Sequence, residues 1–188
     1  MPDMATDVSK DLCICYNCLH SRLTSHCEIL NGEMKDVPLP DIRHQRVRTK
    51  LTTLLLQYTE KSGLGTVVGA PCNVMLTPWD IVRPDILYIR KNRTGIMGEQ
   101  IILGSPDLVV EILSNETQQR DLKEKRKLYA ESGIAEYWIA DPVAESIETL
   151  IWSELGYISA GVTGTGNFLS SVLLPNLNFS LSNIFETF

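Results

Sequence analysis

The run Leu108-Val109-Val110-Glu111-Ile112-Leu113 sets a glutamate in the middle of a branched, apolar strand. An ionised carboxylate is costly there, because burial disfavours the charged form unless a partner is supplied. The chain must therefore fold so that something reaches Glu111. A second strand-like run, Arg83-Pro84-Asp85-Ile86-Leu87-Tyr88, carries another carboxylate at its start. Alternation along a strand puts Asp107, Val109, Glu111 and Leu113 on one face, and likewise Asp85, Leu87 and Ile89. If the two strands pair, Asp85 and Glu111 come within reach of one ion, and hard divalent cations prefer such oxygen ligands.

A lysine follows one helix later. Asp121, Lys125 and Tyr129 recur every four residues and line one face of a helix spanning roughly 118–132, which stops at Gly133. An exposed Asp121–Lys125 ion pair, worth about 0.3–0.5 kcal/mol, is the plain reading. A positive donor that steadies phosphoryl charge beside a metal is the functional one. With Asp85 and Glu111, the second reading implies metal-dependent phosphodiester chemistry.

The remaining pattern is that of an α/β chain. Glu28-Ile-Leu-Asn31-Gly32-Glu33-Met34 reads as a hairpin, since Asn-Gly suits a type I′ turn. Asp41 is placed to cap a long helix ending near Gly63, with Val47, Leu51, Leu54, Leu55 and Tyr58 as its buried stripe. Strands are predicted at about 66–69, 73–76, 84–89, 107–113 and 137–140, followed by a hairpin of 146–152 with 157–160. The order predicts a mixed β-sheet flanked by helices.

At 188 residues the chain fits one domain with its own core, and 44% apolar with 21% charged residues is ordinary globular composition. The apolar runs are too short to span a membrane, and residues 1–10 lack the pattern of a secretory signal. Five cysteines are an odd number, best read as reduced thiols, so a cytoplasmic location is expected. Cys13, Cys15, Cys18 and Cys27 include one Cys-x-x-Cys pair, Cys15 and Cys18. A structural zinc site usually joins two such couples, so unligated thiols in an N-terminal arm are expected. A net charge of −6 opposes non-specific coating of nucleic acid. Basic residues nevertheless cluster at Arg43, Arg46, Arg48 and Lys50, and again at Arg120, Lys123, Lys125, Arg126 and Lys127.

Pro84-Asp85, Glu111 after Asp107-Leu-Val-Val, Asp121 and Lys125 leading to Tyr129, and Glu136-Tyr-Trp-Ile-Ala-Asp-Pro142 together resemble the Uma family of putative restriction endonucleases, within the PD-(D/E)xK nuclease group. The likeness runs from about Glu28 to the C-terminus and takes in Glu28-Ile-Leu-Asn-Gly-Glu33, His44-Gln45 and Ala70-Pro71. It implies a restriction-endonuclease-like fold with an N-terminal hairpin and a C-terminal β extension. Residues 1–24 would form an irregular cysteine-containing arm and residues 25–188 a single domain.

The resemblance also implies a Mg²⁺-dependent DNA endonuclease, with Mn²⁺ as a possible substitute, acting as a homodimer. Asp85 and Glu111 would hold the ion, with the Ile112 carbonyl and waters. Leu113 fills the position where the wider group has its lysine, so Lys125 takes the role, and its loss is expected to stop cleavage with folding nearly intact. Glu28, His44, Asp107, Asp121 and Tyr129 are supporting candidates. For Glu28 the alternative is a simple hairpin residue, for His44 a cap or packing residue, and for Asp107 a strand-entry residue paired with arginine. A catalytically silent DNA-binding or regulatory module on the same fold is the rival reading.

Overall fold

The structure, a computed structural model, describes residues 27–114 and 118–185. Cys13, Cys15 and Cys18 of the expected arm lie outside these residues. Cys27 opens the first strand, where it is half-buried.

The hairpin β1 (Cys27–Leu30) and β2 (Glu33–Asp36) closes through Asn31 and Gly32, whose φ angles of 53° and 79° are the two positive values a type I′ turn requires. Helix α1 (Ile42–Ser62) begins at Asp41, whose carboxylate accepts from the His44 N–H at 2.8 Å, and ends at Gly63 in the left-handed region. Strands β3 (Gly65–Gly69), β4 (Asn73–Thr77), β5 (Asp80–Val82), β6 (Ile86–Arg90), β7 (Ile101–Leu103) and β8 (Leu108–Ile112) follow. A π-helical turn (Arg120–Lys125) then runs into α2 (Arg126–Glu131). The chain continues through β9 (Glu136–Asp141), β10 (Ser146–Ser153), β11 (Gly156–Gly164), β12 (Phe168–Leu169), β13 (Phe179–Ser180) and α3 (Ser182–Phe185).

Two larger sheets result. One runs β11-β10-β9-β8-β6-β3, antiparallel except for the parallel pair β8–β9 that the π turn and α2 bridge. The other runs β2-β1-β5-β4-β7, with β4–β7 its parallel pair. The strand predicted over 84–89 is β6, which starts only at Ile86, and the short β5 just before it belongs to the other sheet. Pro84 cannot donate to a ladder, and the Arg83 N–H donates instead to the Glu28 carboxylate at 2.7 Å. The chain turns a corner there, and Asp85 sits on it.

Strand β8 is buried from Leu108 to Ile112. Leu108, Val110 and Ile112 pack with Ile86, Tyr88 and Trp138 against Val47, Leu51 and Leu55 of α1, a layer completed by Leu174, Leu181 and Phe185. Val109 faces the other way, with Leu87, Ile89 and Ile139, toward Leu30, Val74 and Val82 of the second sheet and Tyr129 of α2. Alternation therefore directs Glu111 into the space between the two sheets. Among the described residues, no helix is long and apolar enough to cross a membrane.

A buried carboxylate also anchors the C-terminal layer. Glu136 accepts from Trp138 Nε1 (2.7 Å), Ser171 Oγ (2.8 Å) and the Leu173 N–H (2.9 Å). Glu136→Ala should leave these donors unmet and lower stability by about 3 kcal/mol in urea unfolding. Hydrogen exchange should show the loss concentrated in residues 168–185.

Candidate active site

The register Ile86↔Val110 brings Asp85 and Glu111 to the next step of the β6–β8 pair. Asp85 is fixed on three sides. Its Oδ2 accepts from the Ile112 N–H at 2.9 Å, and His44 Nε2 lies 3.1 Å from the same oxygen. The Arg48 guanidinium stands 3.8 Å from Oδ1. Its carbonyl accepts from the Ala70 N–H, holding Ala70-Pro71 against the cavity.

Glu111 meets its partners from the π turn and α2. Its Oε1 accepts from Tyr129 Oη at 2.6 Å and from Lys125 Nζ at 3.0 Å. Lys125 Nζ also lies 2.8 Å from Glu28 Oε1 and 3.4 Å from Asp121 Oδ1. The lysine is 4% exposed and Glu28 2%. An exposed Asp121–Lys125 pair is thus replaced by a buried ammonium shared by three carboxylates. A single α-helix over 118–132 is likewise replaced by a π turn at Arg120–Lys125, the kind of local widening often found at functional sites.

Burial pushes the Glu111 carboxyl well above its ordinary range, opposed by Lys125 and reinforced by Asp121, Asp85 and Glu28. Burial also works against the Lys125 charge, but Glu111, Glu28 and Asp121 outweigh it and hold the ammonium well above its usual range. The Tyr129 phenol is raised by burial and by Glu111, so it stays a donor. The cluster holds more acid than base.

Glu28, Asp85, Glu111, Asp121 and Lys125 line one cavity of about 230 Å³ with His44, Gln45, Arg48 and the loop Val37–Pro40, and Tyr129 supports Glu111 from behind it. Of the supporting candidates, Glu28, His44, Asp121 and Tyr129 are brought to the cluster. Asp107 is not. It sits at the opposite end of β8, where it accepts from the Arg90 N–H and Arg93 and braces that strand entry. Three cationic neighbours are not among the candidates: Arg48, Arg83 and Arg120, the last 3.5 Å from Glu28 Oε2. Arg48 and Arg120 each fall in a basic cluster of the sequence, and Arg48 also lies one helical turn after His44; Arg83 leaves no such signal.

The residues present suit a divalent cation. Four carboxylates line the cavity against one buried ammonium, and Glu28 Oε2 is a buried acceptor that receives no hydrogen bond. Among the described residues no trio of histidine, cysteine or carboxylate side chains forms a preassembled metal cage. Mg²⁺ does not require one, since it is usually held by one or two carboxylates and keeps several waters.

The chain matches the Uma2 family, described as "Putative restriction endonuclease", over residues 15–182. It belongs to that family. The crystal structure of a protein titled a putative nuclease belonging to DUF820, from Anabaena variabilis ATCC 29413, has the same fold, with a TM-score of 0.71 and 16% identity over 85% of this chain and 89% of that one. No curated protein matches. The α/β architecture implied by the family pattern, mixed sheets flanked by a few helices, is the one found.

The burial of Lys125 corrects the expectation that its loss leaves folding intact. Lys125→Ala strands three buried carboxylates, and removing one partner of a buried charge cluster costs about 3–5 kcal/mol. Glu111→Gln keeps an acceptor for Lys125 and Tyr129 while removing one excess charge. Its melting temperature should equal or exceed wild type, while that of Lys125→Ala should fall; calorimetry at neutral pH separates the two.

Proposed function

We propose that this cavity is the active site of a Mg²⁺-dependent DNA endonuclease, with Mn²⁺ able to substitute. The observation that carries the reading is the convergence of Asp85, Glu111 and Lys125, from the corner before β6, from β8 and from the π turn, on one cavity. Membership of the Uma2 family gives the reaction class its support. Asp85 and Glu111 would hold the ion, which when bound supplies charge neutralisation at a phosphate and a more acidic water.

The chain's own groups divide the remaining work. Asp85 is aimed by the Ile112 N–H and His44, so its free lone pairs face the cavity in one orientation. Tyr129 and Lys125 both hold Glu111 Oε1, which fixes the carboxylate plane. Lys125 is the donor placed to orient a nucleophilic water or to meet phosphoryl charge. Arg48 offers a second cation on the far side of Asp85. Two such sites in a homodimer would cut both strands of a duplex, and reduced cysteines suit a cytoplasmic setting.

Incubation with supercoiled DNA should give nicked or linear product with Mg²⁺ and none with chelator. Asp85→Ala and Glu111→Gln should remove both cleavage and Mg²⁺ binding by titration calorimetry. Lys125→Met should lower the single-turnover rate by about 10²–10³-fold. Unchanged cleavage in a folded Glu111→Gln variant would rule the site out.

A further inference from the structure

The outer side of the π turn and α2 borders a second cavity, of about 560 Å³, bounded on its other side by the β10–β11 hairpin. That volume is within the range of pockets that take a small ligand. Lys123, Arg126 and Lys127 line it from the helical segment, and Trp152, Leu155 and Tyr157 from the hairpin. Lys125, between those cations in sequence, points the other way into the first cavity, so one segment separates the two. The aromatic wall is held rigidly. Trp152 and Tyr157 stand opposite each other in the β10–β11 register. Trp152 Nε1 donates to the Ala130 carbonyl at 2.7 Å, and Tyr157 Oη to the Ile134 carbonyl at 2.8 Å. Trp152 is still 42% exposed. With its one donor satisfied, what the indole offers a ligand is its π surface.

The cationic wall is the reverse, with charge left unanswered. Lys127 pairs with Glu131 at 3.7 Å across an exposed helix face, an arrangement that holds the lysine weakly. Lys123 and Arg126 have no carboxylate within ion-pair distance among the described residues, although Arg126 is half-buried. Free cations beside a stacking surface match an unpaired nucleotide, which brings a phosphate and a π face together. Two carboxylates, Glu131 and Glu154, also line the cavity, so charge alone holds an anion weakly there and stacking has to add to it. The alternative occupant is a protein seated on Trp152 and Leu155. It would need carboxylates at the spacing of Lys123 and Arg126, whereas any strand of nucleic acid carries a phosphate with every base.

We propose that this groove binds a single strand of DNA, with a base stacked on Trp152 and the adjoining phosphates on Lys123, Arg126 and Lys127. The proposal rests on the endonuclease reading and deepens it by naming the substrate: a duplex that carries an unpaired tail or branch beside the cut. The paired part engages the first cavity and the unpaired strand the groove. A fully paired duplex keeps its base faces stacked on one another and leaves none for the indole. The groove selects the substrate and takes no part in the chemical step.

The test uses the full chain with an oligothymidylate and a blunt duplex of equal length, in chelator so that nothing is cut. The single strand should quench tryptophan fluorescence and bind more tightly than the duplex, with affinity falling as salt rises. Trp152→Leu should remove the quenching and weaken single-strand binding about tenfold. Arg126→Glu should weaken it at least as much, and Glu131→Gln should strengthen it. With Mg²⁺ present, the wild-type chain should cut a tailed duplex faster than a blunt one. Trp152→Leu and Arg126→Glu should lose that preference while cutting the blunt duplex at the wild-type rate. Equal affinity for single strand and duplex, or unchanged single-strand binding in Arg126→Glu, overturns the groove. So does loss of a dimer by light scattering in Trp152→Leu with oligothymidylate binding unaffected, which would mark the aromatic wall as a protein contact. Groove binding without cleavage of any duplex would leave the groove standing and remove the endonuclease reading; cleavage without groove binding would do the reverse.

Discussion

Everything near the cavity depends on one buried ammonium. Lys125 sits within 3.4 Å of Glu28, Glu111 and Asp121, which come from β1, β8 and the π turn. Its charge is what allows three carboxylates to be buried together, and they in turn outweigh the desolvation that would neutralise it. The same contacts join an inner strand of one sheet, β1, to an inner strand of the other, β8. The lysine proposed to act on a phosphate is therefore also a tie between the two sheets.

Two local departures from regular structure make that arrangement possible. At Arg83-Pro84-Asp85 the ladder is broken by proline, and the released Arg83 N–H is taken by Glu28, so the corner that presents Asp85 is fastened to the strand that presents Glu28. At Arg120–Lys125 the π turn lets Lys125 reach the sheet from above, while Leu113, where a strand lysine would stand, packs among the apolar groups between the sheets.

Much of this was legible in the chain. Asp41, Gly63 and the stripe Val47-Leu51-Leu55 defined α1 at both ends, because caps and periodicity there agree. Asn31-Gly32 defined the hairpin because few dipeptides tolerate two positive φ angles. Glu111 announced itself by the cost of its position. Periodicity could not reveal β7, β12, β13 or α3, which have two to four residues each, too few to show a repeat. The π turn was hidden because a four-residue recurrence reads as an α-helix. Asp107 takes the strand-entry alternative, paired with arginine, because sharing a face with Glu111 says nothing about distance and four residues of strand span about 13 Å. Arg120 was missed because its partner, Glu28, lies far earlier in the chain.

The charge distribution explains how an acidic chain could work on a polyanion. The cavity gathers four carboxylates against Lys125, so an approaching phosphate is repelled until a cation compensates. The exposed cations lie outside it, with Arg43 on α1 and Lys123 and Lys127 on the outer side of the π turn and α2. Exposed charges are screened beyond about 10 Å at moderate salt, whereas the buried cluster is screened far less. The rim would therefore govern encounter and its salt dependence, while the interior governs whether the phosphate settles at the carboxylates. Net charge reports neither, because it adds together two layers that act at different distances.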